Sequence, residues 1–301
     1  MGVVPAKRDQ SVGHLLPYPR GGPTVLRILL GARLRRLREA RGLSAATAGH
    51  AIRATPSKIS RMESGKVGFK QRDVDDLLTL YGVADPSERA TTLSLAQEAN
   101  KQDWWHRYSD VLPNWFEVYI SLEEAASLIR TYEVQFVPGL LQVEAYSRAV
   151  VTLGFPEVDD GELEQRVALR MTRQDGLSGA NAPRLWAVMD EAVLHRPLGG
   201  RDAMRRQLRH LIDVCDLPNV TIQLLPFATG GHAAAGGAFT ILRFAEPALP
   251  DVVYLEQLNS ALYLDKPHEL DSYMRVMNRL CVEAAPSSTT RQRLAAVLKE
   301  M

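Results

Sequence analysis

Cysteine is almost absent from this 301-residue sequence: Cys215 and Cys281 are the only two. Neither sits in a CxxC or Cys/His cluster, which excludes a disulfide scaffold and a structural zinc site and favours a reducing setting. Long apolar runs are missing too, with nothing near the roughly 18 residues of a membrane span. The first residues, MGVVPAKRDQSVGHLLPYPRGG, contain no continuous apolar segment of the kind a secretory signal needs. A cytoplasmic location with no membrane contact is expected. Catalytic signatures are scarce as well. The seven histidines form no HExxH and no i,i+4 pair, and no GxSxG turn occurs. MESGKVG contains Gly65-Lys66, but a phosphate loop needs glycine where Ser60 stands and Ser or Thr where Val67 stands. No catalytic residue, metal or cofactor is expected, and the protein is read as not an enzyme.

What the sequence does contain is an uneven distribution of charge. The overall formal charge is +1, yet residues 1–70 hold 14 Lys or Arg against Asp9, Glu39 and Glu63, a net of +11. The rest holds 22 basic and 32 acidic residues, a net of −10. Such a split points to an N-terminal part that meets a polyanion, while the acidic remainder argues against a second DNA-binding surface.

Periodicity divides the chain into segments. Residues 1–22, with prolines, glycines and few apolar groups, read as a disordered arm. From Thr24, Leu26, Leu30, Leu34 and Leu37 recur at helical spacing until Gly42. Ser44 is an N-cap for a short helix through Ile52, and Thr55-Pro56 caps another over Pro56–Ser64, closed by Gly65. Further helices are predicted over about 72–81 and from Asp85-Pro86 to about 100, completing an all-α domain over residues 23–100. WWHRYSDVLPNWF makes residues 101–116 an aromatic linker. It carries few basic groups between its rings, so it is read as packing onto the following domain rather than stacking nucleobases.

Beyond it, helical periodicity marks about 121–132, 142–153, 161–175, 201–215 and 267–284. Short β-branched or aromatic runs lie between: 185–189, 220–225, 239–244, 252–255 and 261–264. The last four are closely spaced, which predicts an α+β domain over 117–285 with a mainly antiparallel sheet covered by helices. Residues 286–301 form a tail or helix. The fold class is thus multidomain, an all-α unit followed by an α+β unit.

The informative segment is LSAATAGHAIRATPSKISRMESG, residues 43–65. Two short helices after a longer one make a helix-turn-helix. Ile52, Ile59 and Met62 face the first helix, leaving Ser57, Lys58 and Arg61 outward. An α-helix fits the DNA major groove, where residues near its N-terminus reach base edges. Double-stranded DNA is therefore the expected partner.

LxxxREARGLS followed by TPSKISRMESG resembles the Xre, or lambda-repressor-like, helix-turn-helix family. WWHRY, YISLEEAASLIRTYE, VPGLLQ, PRLWAVMDEAVLHRP, NVTIQLLPF, FTILRF and DVVYLEQL resemble the companion domain of a large actinobacterial group that includes WhiJ-like and antitoxin-like regulators. The resemblance spans about residues 24–284. It implies a sequence-specific transcriptional regulator controlled by a small BldB-like partner protein through its C-terminal domain. It implies base-facing roles for Thr55, Pro56, Ser57 and Arg61, with Lys58 between them facing bases or phosphate. Ser44, Ser64 and Lys66 take phosphate positions, and Arg38 and Glu63 match a structural pair tying the first helix to the recognition helix. Two positions depart from the family: Ala45 stands where glutamine is usual, and Arg53 replaces the turn glycine, adding a candidate phosphate contact. Since repressor-like domains read two half-sites, a homodimer is expected.

Two alternatives belong to other classes. The C-terminal domain is a sensor of an unknown small ligand, bound between sheet and helices or under the Gly230–Gly237 loop; or it is an enzyme acting through Asp190, Glu191 or Glu256. A cap at Asp190 and solvated acids account for those carboxylates more simply. Cys215 and Cys281 are read as buried thiols, and His106 and His195 as packing residues.

Overall fold

The computed structural model describes residues 22–301, so the arm read over residues 1–22 lies, apart from Gly22, outside the described residues. Helix α1 (Pro23–Ala40) begins with proline at its first position, where a missing N–H costs nothing. Four helices follow: α2 (Ala45–Ala51), α3 (Pro56–Glu63), α4 (Gln71–Leu80) and α5 (Pro86–Glu98). Leu30 and Leu34 of α1 close over Ile52, Ile59, Met62 and Leu77 in one buried cluster. The one-sided apolar spacing of these helices is what makes that cluster possible.

Residues 101–116 are built into the fold. A 3₁₀ turn over Trp104–Tyr108 precedes α6 (Asn114–Ala125), which starts inside the aromatic segment. Trp105, Tyr108, Val111 and Leu112 pack with Ile120 and Leu169. The indole N–H of Trp105 donates to Ser121 Oγ at 2.9 Å and that of Trp104 to Glu124 Oε2 at 3.0 Å. These bonds satisfy the polar end of each half-apolar ring.

The C-terminal unit carries one six-stranded sheet. Its strands are β1 (Leu128–Glu133), β2 (Arg184–Asp190), β3 (Val220–Leu225), β4 (Phe239–Arg243), β5 (Val252–Glu256) and β6 (Ala261–Leu264), in the order β3-β2-β1-β4-β5-β6. β3, β2 and β1 are parallel, and β1, β4, β5 and β6 are successively antiparallel. The sheet is thus mainly antiparallel, with a parallel portion. The crossovers are α7 (Glu144–Gly154) with α8 (Asp160–Gln174), and α9 (Arg201–Val214); α10 (Pro267–Glu283) and α11 (Ser287–Glu300) close the chain. One sheet face packs under α6, α7, α9 and α11, the other under α10.

The helix expected over 121–132 is corrected. α6 stops at Ala125, Ala126 turns extended, and β1 occupies 128–133. Leu122, Ala125 and Ile129 share a helical spacing, but Ile129, Arg130, Thr131 and Tyr132 alternate between the two sheet faces. Pairing on both sides, with β2 and β4, overrides the local period.

α1 belongs to both units. Val25 and Leu29 lie in the C-terminal core beside Tyr119 and Leu122. Thr24 donates its hydroxyl to Asp103 at 2.7 Å, and Arg27 reaches the Ala99 carbonyl at 3.1 Å. The helix that backs the recognition helix therefore also seats on the domain behind it.

Candidate nucleic-acid interface

The helix-turn-helix is held at backbone distance. A Cβ on Gly31 of α1 would run into the Met62 carbonyl oxygen, and one on Gly49 of α2 would meet the Ala54 oxygen at 2.7 Å. Any larger residue would push α3 out of its seat. Sequence reasoning passed over both glycines, although a glycine inside a helix is unfavourable without such a reason.

Arg38 fixes α3 from its far end. Its guanidinium donates to both Glu63 carboxylate oxygens at 2.6 and 2.9 Å and to the Leu43 carbonyl at 2.7 Å. Both side chains are mostly buried, and the Glu63 hydrogen bond holds Arg38 more firmly protonated. One residue thereby ties α1, the start of the motif and the end of α3 together.

The candidate contact residues divide by what occupies them. Ser44 Oγ accepts from the Thr47 N–H at 3.0 Å and Thr55 Oγ1 from the Lys58 N–H at 3.2 Å, so both hydroxyls cap their helices. Ser64 Oγ donates to the Ser60 carbonyl at 2.9 Å. Lys58 is half-buried, and its ammonium sits 2.6 Å from Asp73 of α4. That pairing compensates the lysine and turns it toward the protein; Asp73 carried no signal in the sequence. Pro56, Ser57 and Arg61 are exposed on the outer face of α3, opposite buried Ile59 and Met62. Arg53 and Lys66 are exposed at the two flanks of α3, and Lys70 lies beyond Lys66. No ion pair holds Arg53, Arg61, Lys66 or Lys70 among the described residues. Ala45 is half-buried against the helical core.

Arg53 is the single non-glycine residue with a left-handed backbone among the described residues, at φ 54°. The connection between α2 and α3 thus keeps the conformation that glycine would adopt freely, with a long basic side chain added.

The acids considered for catalysis are not brought together. Asp190 Oδ1 caps the Ala192 N–H at 2.8 Å, and Glu191 accepts from the Phe227 N–H at 2.8 Å. Glu256 accepts from the Tyr254 hydroxyl at 3.1 Å. Glu256 instead influences Glu133 at the end of β1, where burial and then Glu256 push the Glu133 carboxyl up to about 8. No group of three or more His, Cys, Asp or Glu suited to a metal occurs among the described residues. The Gly230–Gly237 loop is anchored by His232, whose Nε2 lies 3.0 Å from the Tyr132 hydroxyl. Cys215 and Cys281 are half-buried, and the Cys281 sulfur lies 3.3 Å from the Arg130 guanidinium. His195 stacks on Phe227, and His106 is exposed. No described helix is long and apolar enough to cross a membrane.

Comparison with known families matches both units. No curated protein and no solved structure matches the chain. Residues 29–91 match the model of a helix-turn-helix domain, spanning α1 to α5 with the Arg38–Glu63 tie and the exposed face of α3 inside it. Residues 116–296 match the model described as a domain of unknown function (DUF5753), which takes in the whole sheet. The latter match covers more than half of the chain, and the protein belongs to this DUF5753 family, with a helix-turn-helix domain preceding the shared domain.

Proposed function

We propose that the protein is a sequence-specific transcriptional regulator that lays α3 in the DNA major groove. The observation carrying this is the outer face of α3: Arg61 is exposed, without an internal carboxylate partner, and flanked by Arg53 and Lys66 in the same condition. Cations left unpaired beside a rigidly seated short helix suit phosphate and base-edge contact. Arg61 reads bases, whereas Arg53 and Lys66 hold phosphate. Ser44, Thr55 and Ser64 act mainly by capping, and Lys58 by its tie to Asp73. The regulator works in the cytoplasm as a homodimer, has no catalytic activity of its own, and is of the Xre type.

For its control we favour the WhiJ-like, antitoxin-like arrangement of actinobacterial regulators, in which a small protein binds the C-terminal domain and changes DNA affinity. An open groove of about 920 Å³ between α7 and α9, floored by Ala149, Gly199 and Ala203, supports a protein partner. A small-molecule sensor is the second reading, favoured by a narrower cavity of about 250 Å³ between Trp104, Glu123 and Arg173, where the aromatic segment meets the C-terminal domain.

Fluorescence anisotropy on the DNA upstream of its own gene and on a scrambled duplex, across a salt series, tests the reading. Preference that survives moderate salt supports it. Equal, steeply salt-dependent binding to both duplexes would reduce the basic face to a nonspecific one. Repeating the titration with the product of an adjacent small gene tests the control.

A further inference from the structure

The two edges of the sheet end differently. β3 is buried along almost its whole length, and its outer backbone is engaged by the chain itself, since the Ala285 N–H donates to the Leu224 carbonyl at 2.8 Å. α11 lies across it. At the other edge, β6 reads Ala-Leu-Tyr-Leu, wholly apolar or aromatic, yet none of its four residues is buried. Leu262 exposes 55% of its surface, and Leu258 at the tip of the β5–β6 hairpin is fully exposed. No strand among the described residues pairs with the outer side of β6. Sheet edges left to solvent are ordinarily guarded by lysine, proline or an inward charge. The four residues of β6 carry none of these, and Lys266 and Pro267 stand only beyond its end.

We propose that β6 pairs antiparallel with β6 of a second copy of this chain, so that one sheet runs through a two-fold dimer. The inference rests on the reading of the protein as a dimeric DNA-binding regulator and names the surface that such a dimer uses. An antiparallel edge is self-complementary under a two-fold axis, as an isologous interface requires. Pairing centred on Leu262 sets that residue against its own copy and Ala261 against Tyr263. Ser260 then meets Leu264, and Leu258 of the hairpin tip lies beside the aliphatic stem of Lys266. Asp265 falls opposite Asn259. No like charges oppose one another, and the two most exposed leucines of this hairpin, Leu258 and Leu262, each gain an apolar neighbour. Tyr263 is already anchored, its hydroxyl donating to the Trp115 carbonyl at 2.6 Å.

The test is the mass in solution of the full chain, by light scattering over a concentration series, for wild type, Leu258→Lys, Leu262→Lys and the double variant, which set like charges opposite one another in this register. Wild type is expected at twice the 33.4 kDa chain mass. The double variant is expected at the single mass with unchanged circular dichroism and melting. Hydrogen exchange adds a reading without any substitution: Ser260, Leu262 and Leu264 face β5, so it is the outward amides of Ala261 and Tyr263 that become less protected in wild type on dilution. A wild type that is monomeric at every concentration overturns the proposal. So does a double variant that stays dimeric, or exchange in β6 that ignores concentration. None of these measurements involves DNA, so loss of the DNA reading on every duplex would leave this interface standing or falling on its own.

Discussion

Two arginine–glutamate pairs with the same forked geometry do different jobs in the two halves of the molecule. Arg38 and Glu63 sit behind a surface, where their bond fixes the angle at which α3 meets whatever lies outside. Arg173 and Glu123 are both under a tenth exposed, bonded at 2.8 Å twice, with the guanidinium over the Phe116 ring. Around α3, Arg53, Arg61 and Lys66 stay exposed with no ion pair among the described residues; around Arg173 the aromatic and carboxyl groups close in. The helix-turn-helix keeps positive charge available, whereas the interior beside β1 and β5 neutralises it. A net charge of +1 for the whole chain conceals both arrangements.

Breaking the inner pair should have the larger effect. Burial opposes the charge of Arg173 and Glu123 outweighs it, holding the guanidinium protonated. Arg173→Ala strands Glu123 in the interior and should cost about 3–5 kcal/mol in urea unfolding. Arg38→Ala takes the guanidinium from a pair nearer the surface and should cost less, about 1.5–3 kcal/mol. It should also reduce DNA binding beyond its effect on stability, because α3 loses its far anchor. An Arg38→Ala protein that binds DNA as wild type would separate the pair from the interface.

The next prediction concerns pH. Glu133 ordinarily titrates like any carboxyl in the unfolded chain, but in the fold it is raised to about 8 by burial and Glu256. The native state therefore holds a proton that the unfolded state has lost, and stability falls as pH rises from the usual carboxylate range to about 8. Glu133→Gln removes that dependence. Its melting temperature should match wild type in acid and exceed it progressively toward pH 8, then hold a constant margin. A margin independent of pH would mean that Glu133 is ionised in the native state.

The recognition half is sharpened by two substitutions that share a charge change and differ in what they touch. Arg61→Ala should lose about 1–3 kcal/mol of discrimination between specific and random DNA. Lys66→Ala should weaken both duplexes alike and lower the slope of affinity against salt by about one. Equal losses for Arg61→Ala on both duplexes would move Arg61 to the phosphate class.

How far these features could be read in advance follows from how local they are. The caps at Ser44, Thr55 and Asp85, the helices they start and the outward place of Arg61 depend on a few neighbouring residues, and the sequence displays them. β1 reads locally as helix because its extended state is set by β2 and β4, segments some fifty and a hundred residues away. The helical spacing of α3 turns Lys58 outward, and its partner Asp73 lies on another helix with no motif to mark it. The open edge at β6 could not be seen from its four residues, since ALYL reads equally well as a buried strand. Its exposure is a property of strand order. Arg53 was visible as a departure from a turn glycine, but only the backbone shows that the turn kept its left-handed form.

That departure yields the smallest and most discriminating prediction. A non-glycine residue in the left-handed region is strained by roughly 1–2 kcal/mol. Arg53→Gly relieves this, while glycine's added freedom in the unfolded chain returns about 0.4–1 kcal/mol of it. The variant should gain about 0.5–1 kcal/mol of stability. If Arg53 holds a phosphate, the same variant loses affinity for specific and random duplexes alike, with a salt slope reduced by about 0.9. Arg53→Lys separates the two contributions, since it retains the charge and the strained backbone. It should bind DNA nearly as wild type and gain no stability. A stabilised Arg53→Gly protein with an undiminished salt slope would show that the arginine is strained for no contact, leaving Arg61, Lys66 and Lys70 to carry the face of α3 alone.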